Sequence, residues 1–216
     1  MSSGAMSADF EVVSFDHSPG RTMPQQLGDR LWFPMWLMGI AGFTVGIVLA
    51  IIRAGEVADL NGAGVWTSDT TAQLQHVGAG VMFIGFAGAF AAVTFAIARI
   101  LGQFRQGGGD LQEATGRTVR LLKMPLSGRL FILTMMMAMM TIVLAVILHF
   151  VFAADIDSSA ASLEDAEQRF IVLEGVRRLG IAMFLVSFLL GLGTIIKVLR
   201  VQGIRLRQLP DESPSG

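Results

Sequence analysis

LFILTMMMAMMTIVLAVILHFVFA, residues 130–153, contains no charged side chain. As a helix rising ~1.5 Å per residue it is long enough to cross ~30 Å of hydrocarbon. Three further apolar stretches of similar length lie at 31–52, 77–98 and 179–196. Together they account for a chain that is 53% hydrophobic and 15% charged, where a soluble domain carries about 25% charged residues. Strands of a membrane barrel would be shorter and would alternate, and these stretches do neither. The expected fold is therefore all-α, an integral membrane four-helix bundle.

The remaining sequence divides around that bundle. Residues 1–30 form a polar N-terminal segment with Asp9, Glu11, Asp16, Pro19, Gly20 and Pro24, expected to be loosely ordered. It has no apolar core of the kind a cleavable signal needs, so the first stretch reads as a true span. The transmembrane domain covers 31–198, and 199–216 form a polar tail. Cysteine is absent, which excludes disulfides, thiolate metal sites, iron–sulfur clusters and covalent haem attachment.

The net charge of −1 hides a sorted distribution. Six basic residues lie between the second and third spans: Arg99, Arg105, Arg117, Arg120, Lys123 and Arg129. Four more lie after the fourth span (Lys197, Arg200, Arg205, Arg207) and two before the first (Arg21, Arg30), making 12 of the 16. Only Arg53, Arg169, Arg177 and Arg178 belong to the other side. The excess of basic residues on cytoplasmic loops predicts both termini and the middle loop in the cytoplasm, in a membrane of the bacterial inner (plasma) type. Trp32 and Trp36 are then interfacial anchors of the first span. The outer connections carry Glu56, Asp59 and Asp69, and Asp155, Asp157, Glu164, Asp165 and Glu167.

Local signals predict structure in the connections. Gly107-Gly108-Gly109 reads as flexible, followed by an amphipathic surface helix over 110–123 that stops before Pro125. Ser162-x-x-Asp165 has the form of a capping box and predicts a short external helix over 163–170.

Within this apolar chain, His76 and His149 carry the functional signal. Histidine in hydrocarbon is costly and is by default a candidate functional group. The second span descends 23 residues from His76 to Arg99, roughly 35 Å, and the third climbs 20 residues from Arg129 to His149, roughly 30 Å. If both arginines mark the basic interface, the two imidazoles lie within about one helical turn in height. Small residues flank both. The face His76, Gly80, Phe83, Ala87, Ala91 runs down one helix, and His149, Ala145, Ile142, Ala138 down the other. Gly80 and Ala145 then leave space beside the rings for a planar ligand. Equally, small residues in membrane helices serve close packing, as Gly42-x-x-x-Gly46 does in the first span.

Two histidines on opposite faces of one plane are the axial ligands of a b-type haem. Arg177 and Arg178 then stand at the right level for its propionates, unless Glu174, three and four residues earlier, pairs with one of them. The bland alternative has His76, flanked by Gln73 and Gln75, bonding a backbone carbonyl. Zinc would require a third or fourth ligand, for which only Glu174 offers itself. His17 lies in the polar segment and is expected to be exposed.

On these residues, the chain resembles the broad class of four-helix membrane cytochromes b, which hold haem between histidines of different helices in quinone-linked electron transfer. The resemblance covers 31–196 and rests on the four spans with His76 and His149. Members of that class often carry two haems and four histidines, and this chain has no second pair. What the resemblance implies is one haem b on His76 and His149, with Gly80, Ala145, Arg177 and Arg178 around it.

Met135, Met136, Met137, Met139 and Met140 point around the whole helix, so they read as adaptable packing rather than as one ligand set. No phosphate loop, nucleophile triad or carboxylate pair occurs; Gly107–Gly109 lacks the Lys-Ser/Thr of a P-loop. The expectation is an electron-transfer subunit exchanging electrons with a quinone or an outer-side partner. The alternative is a cofactor-free scaffold subunit of a larger membrane complex. Lipid and other membrane subunits are expected partners; nucleic acid is not.

Overall fold

The computed structural model describes residues 12–65 and 67–208, with side chains omitted at 12 and 204–208. Four long helices dominate: α1 (Met23–Gly62), α2 (Asp69–Ala114), α3 (Leu126–Asp155) and α4 (Ala160–Gln208). Each is long and apolar enough to cross a membrane, with 40, 46, 30 and 44 residues in the four candidate spans. The protein is thus an all-α, integral membrane four-helix bundle. Large apolar side chains such as Met136, Met140, Leu189 and Ile196 face outward, as lipid requires. Three of the five clustered methionines, Met136, Met137 and Met140, are exposed and form no common site.

Helix ends explain the departures from the sequence reading. The amphipathic helix expected over 110–123 does not form. Instead α2 passes through Gly107–Gly109 without a break and stops at Ala114. Gly116 (φ 68°) ends it, with the Gly116 N–H on the Glu113 carbonyl and the Arg117 N–H on that of Gln112. This is the paired closure that favours a left-handed glycine just past a helix. Gly64 (φ 73°) closes α1 in the same way.

The chain then forms β2 (Val119–Leu122), which pairs antiparallel with β1 (Val12–Phe15), Val13 opposite Leu121. The polar N-terminal segment is therefore not loose over its described part: it holds a strand, and α1 begins at Met23. Similarly, no separate helix covers 163–170. Ser159, not Ser162, is the cap of α4, its hydroxyl accepting the Ser162 N–H at 3.2 Å, so α4 is continuous from Ala160. Asp157 accepts the Ser159 N–H at 2.8 Å, and hydrogen bonds from the Ser159 hydroxyl and N–H hold its carboxyl below the usual carboxylate range. The tail expected from 199 is helical as far as Gln208.

The described chain divides into two compact units, and each helix contributes a segment to both. The first unit comprises Met1–Leu31, Thr94–Leu133 and Val186–Gly216, so all 12 basic residues counted above fall in it. Here Thr194 donates to Ser127 at 2.9 Å and Gln202 to the Phe104 carbonyl at 3.1 Å. Asp29 pairs with both Arg21 and Arg99.

The second unit comprises Trp32–Val93 and Thr134–Leu185. Its α1–α2 contact is backbone on backbone. A Cβ placed on Gly42 would lie 2.5 Å from the Gly85 nitrogen, and one on Gly88 2.5 Å from that of Gly39. Glycine is required at these positions because any side chain would force the helices apart. Gly85→Val should therefore cost about 1–3 kcal/mol, the usual range for overpacking. Gly193→Ala, at a position with open space around it, should cost nothing. Thermal unfolding in one detergent checks the pair, and equal midpoints for both variants would refute the tight crossing.

Candidate functional site

The second unit collects the predicted histidines in its interior. His76 of α2 and His149 of α3 are 1% and 0% exposed. The faces below them are buried too: Ala87 and Ala91 on α2, and Ala145, Ile142 and Ala138 on α3. The matched depth read from the sequence corresponds to direct contact, with His76 Nδ1 and His149 Nδ1 3.1 Å apart. On its far side His76 Nε2 lies 3.1 Å from the carbonyl oxygen of Ala166 in α4.

Partner types fix the protons. A carbonyl only accepts, so His76 Nε2 carries the hydrogen. For two neutral imidazoles, His76 Nδ1 is then an acceptor and His149 Nδ1 must donate to it. One lone pair is left at the end of this relay, on His149 Nε2, which is buried with no hydrogen-bond partner. A neutral imidazole with one N–H anchored and the other nitrogen bare is the form in which histidine ligates a metal.

Aromatic rings enclose the pair. The Phe170 ring centroid lies 5.4 Å from that of His76 and 5.7 Å from that of His149. Arg177, 5% exposed, stacks its guanidinium over Phe83 at 4.6 Å and Phe170 at 4.9 Å. Its Nε is buried without a hydrogen-bond partner. Glu174, the carboxylate within reach along the helix, instead bonds Arg178. The two neighbouring arginines thus separate. Arg177 belongs to the histidine cluster, while Arg178 is exposed, ion-paired and outside it. Arg169 bonds Asp155 and Asp165.

Phe170 and Arg177 also line a cavity of about 480 Å³ with Gly46, Gly78, Ala79 and Arg53, a size within the usual range for ligand pockets. Arg53 donates to Gln75 at 2.8 Å, and its Nε has no partner. No carboxylate lines this cavity among the described residues.

These observations test the fit of a haem. Two trans ligands, each ~2.0 Å from a metal, lie ~4 Å apart; the two Nδ1 atoms are closer, at 3.1 Å. The Nε2 atoms do not converge either, since that of His76 serves Ala166. Gly80 does not leave a slot: a Cβ there would lie 3.3 Å from the His149 Cβ, so its lack of a side chain lets α3 close on α2. The residues therefore do not fit a plane clamped between the two rings. His149 Nε2 is the one ring nitrogen of the pair without a partner, and the cavity that Arg177 and Arg53 line is lined by neither histidine. No group of three or more His, Asp or Glu side chains that could hold a metal ion occurs among the described residues. His17 is exposed, as expected.

Sequence reasoning missed Phe170 and the Ala166 carbonyl. The signal was present: Ala166, Phe170, Leu173 and Arg177 follow the helical repeat, but only if α4 is read as continuous from Ala160. No protein-family model, curated protein or solved structure matches the chain, so the site stands on its own chemistry.

The relay makes a spectroscopic prediction. Nitrogen-15 spectra of histidine-labelled protein should show His76 protonated at Nε2 and His149 protonated at Nδ1 with a bare Nε2. The opposite tautomer at either ring would break the assignment.

Proposed function

We propose that the protein is a membrane electron-transfer subunit that holds one b-type haem at the His149 cluster and exchanges electrons with a quinone or an outer-side redox partner. One observation carries this reading. In a single buried cluster, His149 Nε2 keeps a lone pair and Arg177 keeps a cation, and neither Nε2 nor the Arg177 Nε has a hydrogen-bond partner. A ligand combining a metal centre with carboxylates answers both.

A bound haem supplies reversible one-electron exchange. The chain's own residues prepare for it. His149 Nε2 would hold the iron. His76 holds the His149 Nδ1–H and raises the basicity of the donor nitrogen. Arg177 and Arg53 would hold its propionates. Phe83 and Phe170 keep water from the site. The sorted basic residues support an orientation with both termini cytoplasmic, as in a bacterial inner membrane, and so a haem nearer the outer face.

The 3.1 Å contact between the rings favours a second reading, a cofactor-free accessory subunit in which the pair links α2 to α3 and other membrane subunits cover the bundle. A reduced-minus-oxidised absorbance spectrum of protein expressed with ample haem separates the two. The haem reading requires a haem band that His149→Ala abolishes and His17→Ala leaves intact. A colourless wild type would leave the accessory reading.

The separation of the arginines gives a sharper test. Arg177→Gln should lower the haem midpoint potential, because a nearby cation favours the reduced, less positive centre. Arg178→Gln should leave it in place. Equal shifts for both variants would remove Arg177 from the site. Orientation has its own check: a reporter fused after Gly216 should be active only in its cytoplasmic format, and activity of an exported-only reporter would reverse the topology.

A further inference from the structure

The cavity beside the histidine cluster has a chemistry of its own. Its volume is about 480 Å³, within the range of pockets that hold one small molecule. Segments of α1, α2 and α4 wall it, and most of the lining is apolar, including Leu74, Met82 and Phe83. Ala50 and Ala54 also line it and are exposed on α1, so the cavity opens sideways, on the flank that lipid surrounds. Two N–H donors interrupt this apolar lining. The Nε atoms of Arg53 and Arg177 are both buried without a hydrogen-bond partner. The rings of Phe83 and Phe170 lie against the Arg177 guanidinium, yet the Nε–H of a planar guanidinium points along its edge and still needs an acceptor. Arg53 gives one Nη to the Gln75 side-chain oxygen at 2.8 Å, which leaves its Nε–H. Neither arginine has an ion pair among the described residues.

We propose that this cavity binds a single-chain fatty acid drawn from the bilayer, its carboxylate at Arg53 and Arg177 and its chain passing Met82 and Ala50 toward the lipid. An edge-on carboxylate matches a guanidinium with two oxygens and gives the strongest class of hydrogen bond open to it. The walls select hydrocarbon. Water satisfies the donors and gains nothing from the apolar lining, and a small soluble carboxylate does the same, whereas a fatty acid satisfies both. The proposal does not rest on the haem reading, since it uses neither histidine. Haem propionates would take the same two arginines, so the two ligands exclude each other.

The test is scintillation-proximity binding of radiolabelled palmitate to the full-length protein in phosphatidylcholine nanodiscs, before any haem is added. Wild type should bind palmitate saturably, and hexadecanol should displace it at least tenfold less well than unlabelled palmitate. Arg53→Gln and Arg177→Gln should each weaken binding about tenfold. Ala50→Trp, which fills the mouth, should abolish it, and Arg178→Gln should leave it unchanged. Circular dichroism confirms folding; if the buried Arg177 variant fails it, Arg53→Gln and Ala50→Trp carry the test. Absence of saturable binding overturns the proposal, as does binding that survives in the folded cavity variants. So does equal displacement by hexadecanol, which would leave an apolar slot with no charge requirement, or stronger displacement by lysophosphatidylglycerol, which would assign the arginines to a phosphate head. Palmitate binding by a protein that shows no haem band would sink the haem reading alone.

Discussion

The carbonyl of Ala166 governs the interior of the second unit. A carbonyl has no proton to give, so the imidazole facing it must donate, and that choice propagates through His76 to His149. Each step is one hydrogen bond between groups in a low-dielectric interior, where an unmet donor costs about 1–3 kcal/mol. The relay also ties three elements together, since Ala166 belongs to α4, His76 to α2 and His149 to α3. The asymmetry of the site follows from it. Two histidines alike in burial and depth are not alike in hydrogen bonding: one has both nitrogens engaged, the other has an Nε2 without a partner.

Small residues make that relay geometrically possible. Gly80 has no side chain to hold α3 away, which brings the His149 Cβ within van der Waals range of α2. On the other flank of α2, Gly85 and Gly88 meet Gly42 and Gly39 of α1 at backbone distance. In lipid there is no hydrophobic drive between helices, so close packing and polar contacts have to supply the association. The second unit uses both devices on one helix, glycines toward α1 and a histidine toward α3 and α4.

How far the sequence revealed this depends on periodicity. Four apolar runs of span length made the membrane bundle legible, because length and hydrophobicity survive any uncertainty about contacts. His76 and His149 were legible as neighbours because depth can be counted along a helix. Their direct contact was not, since counting gives height and says nothing about the distance between axes. The strands β1 and β2 have four residues each, too few for alternation to stand out, and the charged Arg120 between Val119 and Leu121 fits a helix face as well as a strand edge. Ser162-x-x-Asp165 satisfied the capping pattern, yet Ser159 caps α4, because a cap depends on backbone geometry at one residue and serine occurs at both. That three-residue displacement hid the face Ala166, Phe170, Arg177, and with it the partners of both histidines.

Energetics bear on which reading the cluster favours. Stacking on Phe83 and Phe170 returns up to about 2 kcal/mol each to a desolvated guanidinium. Burying an ion still costs several kcal/mol when no opposite charge bonds it. The one carboxylate a turn away is bonded to Arg178, so Arg177 is offset by the two rings and by Glu174 at a distance rather than by an ion pair of its own. His149 Nε2 adds a second unmet group in the same place. For a cofactor-free scaffold these are pure losses, set against a net stability that is typically only 5–15 kcal/mol, and an apolar side chain at 177 would serve packing better. A bound group that brings a metal to the imidazole and an anion to the guanidinium turns both losses into binding energy. The imbalance therefore weighs toward a ligand in the second unit, and toward one whose metal and negative charge lie on the same molecule.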